Sequence, residues 1–196
     1  MTEQMERTDP TFPGIGSVSE ATHRPQDLIP RFLDVLRKHD PSFREAEAAE
    51  AAEGYVPGTP IPAEAWEDED HGWWQSEEAQ EFLGELFDRL DELAPAYVHF
   101  GTSDGDGASF GFWPMVSEAV DDSEVANLEN CGRLGGGTCL NGERLAEDED
   151  WEDRAAAEGW EFVLAINDHG NATLYRAEAN ESAGGIMGYN EVWAVV

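Results

Sequence analysis

Asp104-Gly105-Asp106-Gly107 sets two carboxylates two residues apart in a glycine-rich turn, the way calcium-binding loops open. A complete EF-hand loop also needs an oxygen ligand at its fifth position, Gly at its sixth and a bidentate Glu at its twelfth. Ala108, Ser109 and Met115 stand there instead. The segment therefore reads as a hairpin turn, with Asp104 and Asp106 left as weak candidates for a looser cation site. Asn167-Asp168-His169-Gly170-Asn171 puts a carboxylate beside an imidazole, the pairing a general base uses. Neighbours on a tight turn seldom point at one substrate, and Asn, Asp and Gly are the residues that positive-φ turns select. This segment also reads as a turn. Strict alternation puts His99 on the strand face opposite Val98 and Phe100, as a half-exposed strand residue.

Other reactive groups are dispersed. Cys131 and Cys139 are the only cysteines, and His23, His39, His71, His99 and His169 are scattered. A zinc site shows closer CxxC pairs with further ligands. A start of MTEQMERTDP lacks the basic and apolar regions of an export signal, so two free, buried or half-buried thiols are expected. The glycines at 132 and 135–137 precede no Lys-Ser/Thr pair and follow no strand with GxGxxG spacing, so they form no phosphate cradle. No serine sits in a GxSxG elbow. The expectation is no assigned catalytic residue and no cofactor.

The elements that carry these groups follow from periodicity. Residues 1–24 are polar with no period and read as a flexible tail. A helix follows with Asp27 as N-cap, Pro30 in its first turn and a stripe of Leu28, Ile29, Phe32, Leu33, Val35 and Leu36. Pro41–Glu53 reads as a second, peripheral helix ending at Gly54. The connection 55–75 is rich in proline and acid, and Trp73 and Trp74 are expected to pin it to the body. Ser76 caps the clearest helix, whose stripe runs through Ala79, Phe82, Leu83, Leu86, Phe87, Leu90 and Leu93 up to Pro95.

From there the period changes from 3.6 to 2. Ala96–Gly101 and Ser109–Trp113 flank the Asp-Gly turn as a hairpin. Trp160–Ile166 and Asn171–Arg176 flank the Asp168 turn as a second, and Tyr189–Val196 reads as a terminal strand. Between them, Gly135–Gly137 reads as a loop and Asp150–Glu158 as a short helix. The fold class expected is α+β: a two-layer, antiparallel sheet of about five strands with two or three helices on one face. Residues 25–196 are expected to form one domain.

The charge balance excludes partners before it suggests any. Of 196 residues 43 are acidic, 11 are Lys or Arg, and Lys38 is the only lysine, for a formal charge of −32. Such a surface cannot neutralise a run of phosphates, and an anionic bilayer would repel it, so direct nucleic-acid or membrane binding is not expected. With 40% hydrophobic and 10% aromatic residues the chain still has material for a core. Acid spread over every segment and near-absence of lysine match the composition of proteins from molar-salt, haloarchaeal cytoplasm, where self-repulsion is screened. A nucleic-acid mimic is the alternative source of such acidity; it would concentrate carboxylates on one face and need not shed lysine.

The stretch from Tyr97 to Trp113, YVHFGTSDGDGASFGFW, resembles a "YFG…GDGADFGFW" segment in a family of small uncharacterised proteins of phages, plasmids and related mobile elements. Leu164–Tyr175 and Glu191–Val196 are similar to the "VNDHGNVTLY … EIWSVV" close of such proteins, and Gln26–Leu36 to their "DLIPAFLDAL" helix. The resemblance brings no activity and no catalytic residues. It implies an accessory protein of a haloarchaeal virus or plasmid. Three functions follow. The first is a non-enzymatic, cytoplasmic protein acting through protein contacts, with Trp73, Trp74, Trp113, His99 and His169 as interaction candidates and self-association open. The second is an acidic decoy occupying the nucleic-acid site of a host defence protein. The third is a small hydrolase or metal-dependent enzyme built on His99, Asp104, Asp106 or His169.

Overall fold

A computed structural model describes residues 12–52, 60–131, 137–179 and 185–195. Residues 1–11 of the expected tail, and Gly54, Gly132, Gly135 and Gly136, lie outside them. The chain is α+β, with five α-helices and nine strands among the described residues. The described residues divide into two compact units, one within 10–113 and one within 114–196. A single sheet of about five strands is replaced by two sheets, of three and six strands.

The first unit holds β1 (Gly16–Ser19), α1 (Pro25–His39), α2 (Pro41–Ala52), α3 (Glu77–Asp91), β2 (Val98–Ser103) and β3 (Asp106–Pro114), with strand order β1-β3-β2. The expected tail therefore contains an edge strand, which four residues without periodicity could not announce. The helix α1 begins at Pro25 rather than after Asp27, because proline's fixed φ suits the first helical position. Asp27 sits in the first turn and accepts a bond from the Thr22 hydroxyl at 2.6 Å. Ser76 caps α3 as expected, accepting from the Ala79 amide. The stripes of α1 and α3 meet in a core where Phe32 contacts Phe87 and Phe100 edge-on, with ring centroids 5.1 Å apart in each pair. Phe100 packs on Phe112 at 4.9 Å.

Asp40 joins three elements of this unit. Its Oδ1 accepts from the Ser42 amide, the Ser42 hydroxyl and the Phe43 amide, capping α2, while its Oδ2 takes the Arg89 Nε of α3 at 2.8 Å. Burial pushes this carboxyl upward, but the bonds from Ser42, Phe43 and Arg89 outweigh it and hold it below the ordinary carboxylate value. A lowered folded pKa means the contribution is complete above the unfolded value and is lost as pH falls through the folded one. Asp40→Ala is expected to cost about 1–3 kcal/mol at neutral pH and much less at pH near 2, read by chemical denaturation at both.

The second unit holds α4 (Val116–Asp121), β4 (Val125–Asn130), β5 (Thr138–Leu140), β6 (Glu143–Arg144), α5 (Trp151–Glu158), β7 (Phe162–Ile166), β8 (Ala172–Ala179) and β9 (Ile186–Val195), with strand order β6-β5-β4-β7-β8-β9. One pair, β4–β7, is parallel, against the expectation of an antiparallel sheet. The crossover through α5 makes it so, since a parallel neighbour needs a long connection. Asp150 caps α5 and Gly159 ends it at φ 81°, in the left-handed region glycine tolerates. Arg154 on α5 binds Glu143 and Glu149, each at 2.9 Å, and Glu158 one turn on. The helix covers Ala126, Leu140 and Val163, with Trp151, Tyr175 and Tyr189 packed around them. Burial, with the Glu152 charge nearby, pushes the Tyr189 hydroxyl up to about 12, and that hydroxyl donates to the Trp160 carbonyl at 2.6 Å.

Cys131 and Cys139 are joined by a disulfide, not free as expected from the sequence. Antiparallel pairing of β4 with β5 brings their Cα atoms to 5.5 Å, inside the range a bridge spans. Sequence alone could not supply that proximity, because β5 is only three residues long. Reduction should lower the stability of the second unit by roughly 2–3 kcal/mol, the chain-entropy value for so short a loop, read as a drop in melting temperature with reductant.

Candidate functional site

Asp104 and Asp106 flank the tip of the β2–β3 hairpin. Both are exposed, and Asp106 Oδ1 accepts the Ala108 amide at 3.0 Å, so that carboxylate braces its own turn. No group of three or more His, Cys, Asp or Glu is placed to hold a metal ion among the described residues. His169 lies in the β7–β8 turn, exposed, with Nε2 3.7 Å from Asp168 Oδ1. Asn167 Oδ1 accepts the His169 and Asn171 amides and shapes the turn, as the residue types predicted.

His99 and Trp113 share a neighbour. The His99 ring lies against Gly101, where a Cβ would meet its Cδ2 at 3.2 Å, and the Trp113 Nε1 donates to the Gly101 carbonyl at 3.0 Å. Both side chains are half-buried, and His99 Nδ1 is buried with no partner among the described residues. His99 and Trp113 thus share Gly101 as a neighbour. Asp104, Asp106 and His99 belong to the first unit and His169 to the second, so the proposed catalytic groups come from separate units.

Trp73 and Trp74 are 7% and 3% exposed. They pin the described part, 60–75, of the 55–75 connection, as expected of them, and Trp74 Nε1 donates to the Ala65 and Asp68 carbonyls. Buried rings have little face left for a partner. The sequence reading passed over Trp66, which is 46% exposed and meets Trp74 edge-on at a centroid distance of 6.2 Å. Its only sequence signal is a lone aromatic ahead of the acidic run Glu67–Asp70. Met187, 63% exposed, and Val120, 37% exposed, are the other large apolar side chains of this kind among the described residues. Met187 sits where the β8–β9 register shifts, and such bulges re-aim side chains.

Two depressions flank the carboxyl ends of β4 and β7, where the chain order reverses between β5 on one side and β8 on the other. Such reversal points leave a crevice beyond parallel strand ends. One, of about 760 Å³, is lined by Val120, Asn127, Leu164 and Asn141 among others; the second is about 500 Å³ and includes Thr138 and Thr173. Glu129, Asn130, Asn167 and Asp168 border both. Among the described residues, the lining of both is made of carboxylates, amides and apolar side chains, with no lysine or arginine. Much of the amide set is already committed: Asn141 Oδ1 accepts the Asn127 amide at 2.7 Å and the Asn127 side chain donates to the Val120 carbonyl.

A third depression of about 570 Å³ lies in the first unit between residues 13–18 and the outer face of α1, and it includes Arg31 and Lys38. No helix among the described residues is long and apolar enough to cross a membrane. The chain matches no protein-family model, no curated protein and no solved structure.

Proposed function

We propose that this chain is a non-enzymatic accessory protein of a haloarchaeal virus or plasmid that works in concentrated salt through protein–protein contacts. The observation that carries the reading is Trp66. A chain that buries Trp73 and Trp74 holds this third indole open to solvent, backed by the edge of Trp74. A pre-positioned, half-exposed tryptophan is the commonest kind of interface anchor, because it offers large contact area at low entropic cost. The composition supports the setting: 43 acidic residues against a single lysine suit concentrated salt, where carboxylates hold water and repulsion is screened.

Affinity capture from a haloarchaeal lysate in about 2 M KCl tests it. Recovery of a defined protein partner, or of the chain itself, is expected, with Trp66→Ala lowering the yield by about tenfold or more at unchanged melting temperature. Repeated failure to recover any partner or self-associated form overturns the reading.

A further inference from the structure

The groove beside β1 is unusual in its charge. Of the described cations, Arg24, Arg37, Arg89, Arg154 and Arg176 each hold a carboxylate, and Arg44 donates to the Arg37 and Lys38 carbonyls. Arg31 and Lys38 are in no ion pair among the described residues, and they border the same groove. They stand seven residues apart on α1, two turns and about 10 Å, with Val35 between them on the same face. Asp34 also borders the groove and leaves it one positive charge in excess. A chain that keeps one lysine among 196 residues keeps it here.

The opposite wall is backbone. β1 is an edge strand, so one of its sides faces no other strand of the sheet. Gly14 and Gly16 have φ of 103° and 130°, and nothing lies within 4 Å of where a Cβ on either would sit, so the wall is open to close approach. Pro13, Ile15, Val18 and Val35 supply apolar surface. The register of β1 against β3 slips between Ser17 and Ser19, a bulge that bends the strand.

The geometry points to this groove as the docking site of an extended, carboxylate-bearing peptide segment of a protein partner, laid along β1 with its acids on Arg31 and Lys38. The inference rests on the reading of the chain as a contact protein for the occupant being a polypeptide. Strand addition uses main-chain bonds for affinity and alternate side chains for specificity, and an edge strand beside a helix with two free cations offers both. Two cations suit two carboxylates. They are too few for a nucleic-acid backbone approaching a protein of charge −32.

Fluorescence anisotropy with a labelled peptide of about eight alternating Glu and Val residues, in about 2 M KCl, tests it on the full chain. Saturable binding is expected, weakened about tenfold by the double variant Arg31→Ala/Lys38→Ala and unchanged by Arg176→Ala on β8, with circular dichroism confirming the fold of each. An alternating Lys/Val peptide should not bind. The inference is overturned by absence of binding to the folded wild type, by equal binding to the double variant, or by equal competition from inorganic phosphate or a thymidine oligonucleotide. Captured partners that bind the double variant undiminished would sink this groove and leave the broader reading standing. Peptide binding with no partner ever recovered would do the reverse.

Discussion

In about 0.1 M KCl the protein should unfold at a temperature tens of degrees below that in about 3 M KCl. The reason is the disproportion between acid and base. With a formal charge of −32, few of the 43 carboxylates can find a cation, and the arginines are already used in groups: Arg154 alone serves Glu143, Glu149 and Glu158. The run Glu67–Asp70 is exposed throughout, with like charges on successive residues. At low salt the Debye length reaches about 10 Å and these charges repel across each unit; near 1 M it shrinks to about 3 Å and only contact neighbours matter. A loss of several kcal/mol is then expected, and at roughly 4–8 °C per kcal/mol for units of this size the shift is large. Differential scanning fluorimetry across KCl concentrations reads it directly. Melting temperatures that stay within a few degrees between the two salts would refute the adaptation to concentrated salt. Potassium sulfate should stabilise further than chloride at equal ionic strength, because it adds exclusion from apolar surface to screening.

Gly111→Ala should detach β1 from the first unit. A Cβ at position 111 would stand 2.1 Å from the Gly16 carbonyl oxygen and 2.8 Å from both the Gly16 carbonyl carbon and the Ser17 Cα. All three are backbone atoms, so no side chain can swing away to make room. Position 111 needs glycine for this approach of two strands and not for its own dihedral angles. The expected cost is about 2–4 kcal/mol, limited by the option of letting a four-residue edge strand go rather than unfolding the unit. Hydrogen exchange should then show loss of protection at Ser17–Ser19 while β2 and β3 keep theirs. Gly105→Ala, where no atom lies within 4 Å of the new Cβ, is the matched control and should shift the midpoint far less. Equal effects of the two substitutions would remove the close-contact explanation.

The two long helices were readable because each carries its own instruction. The stripes through Leu28–Leu36 and Ala79–Leu90 bury one side only, and Ser76 satisfies the first free amides of α3 without help from distant residues. The two turns were readable for the same reason: Asp106 and Asn167 close hydrogen bonds within a few residues of themselves. Residues 115–149 were not. The strand Val125–Asn130 mixes apolar and amide residues with no clean alternation, because it is central in the sheet and parallel to β7 on one side and antiparallel to β5 on the other. Its identity depends in part on β7, whose pairing partners stand 37 residues on, as Phe162 does from Val125. Of the candidate interaction residues, Trp73 and Trp74 are buried, and Trp113 is half-buried and donates to the Gly101 carbonyl.

Composition by itself determined the electrostatic setting, since the charge of −32 and the lone Lys38 are independent of how the chain folds. Local pattern determined α1, α2, α3 and α5, the two Asp/Asn turns and the α+β class, because caps, stripes and Asx turns act over a few residues. Only the tertiary structure decided which aromatics remain exposed, which described cations hold carboxylates and that Cys131 reaches Cys139. Those outcomes depend on how segments pack. Burial of Trp73 instead of Trp66, or the pairing of Glu47 with Arg37 and not with the neighbouring Lys38, is settled by which surfaces meet, and residue type carries no record of that.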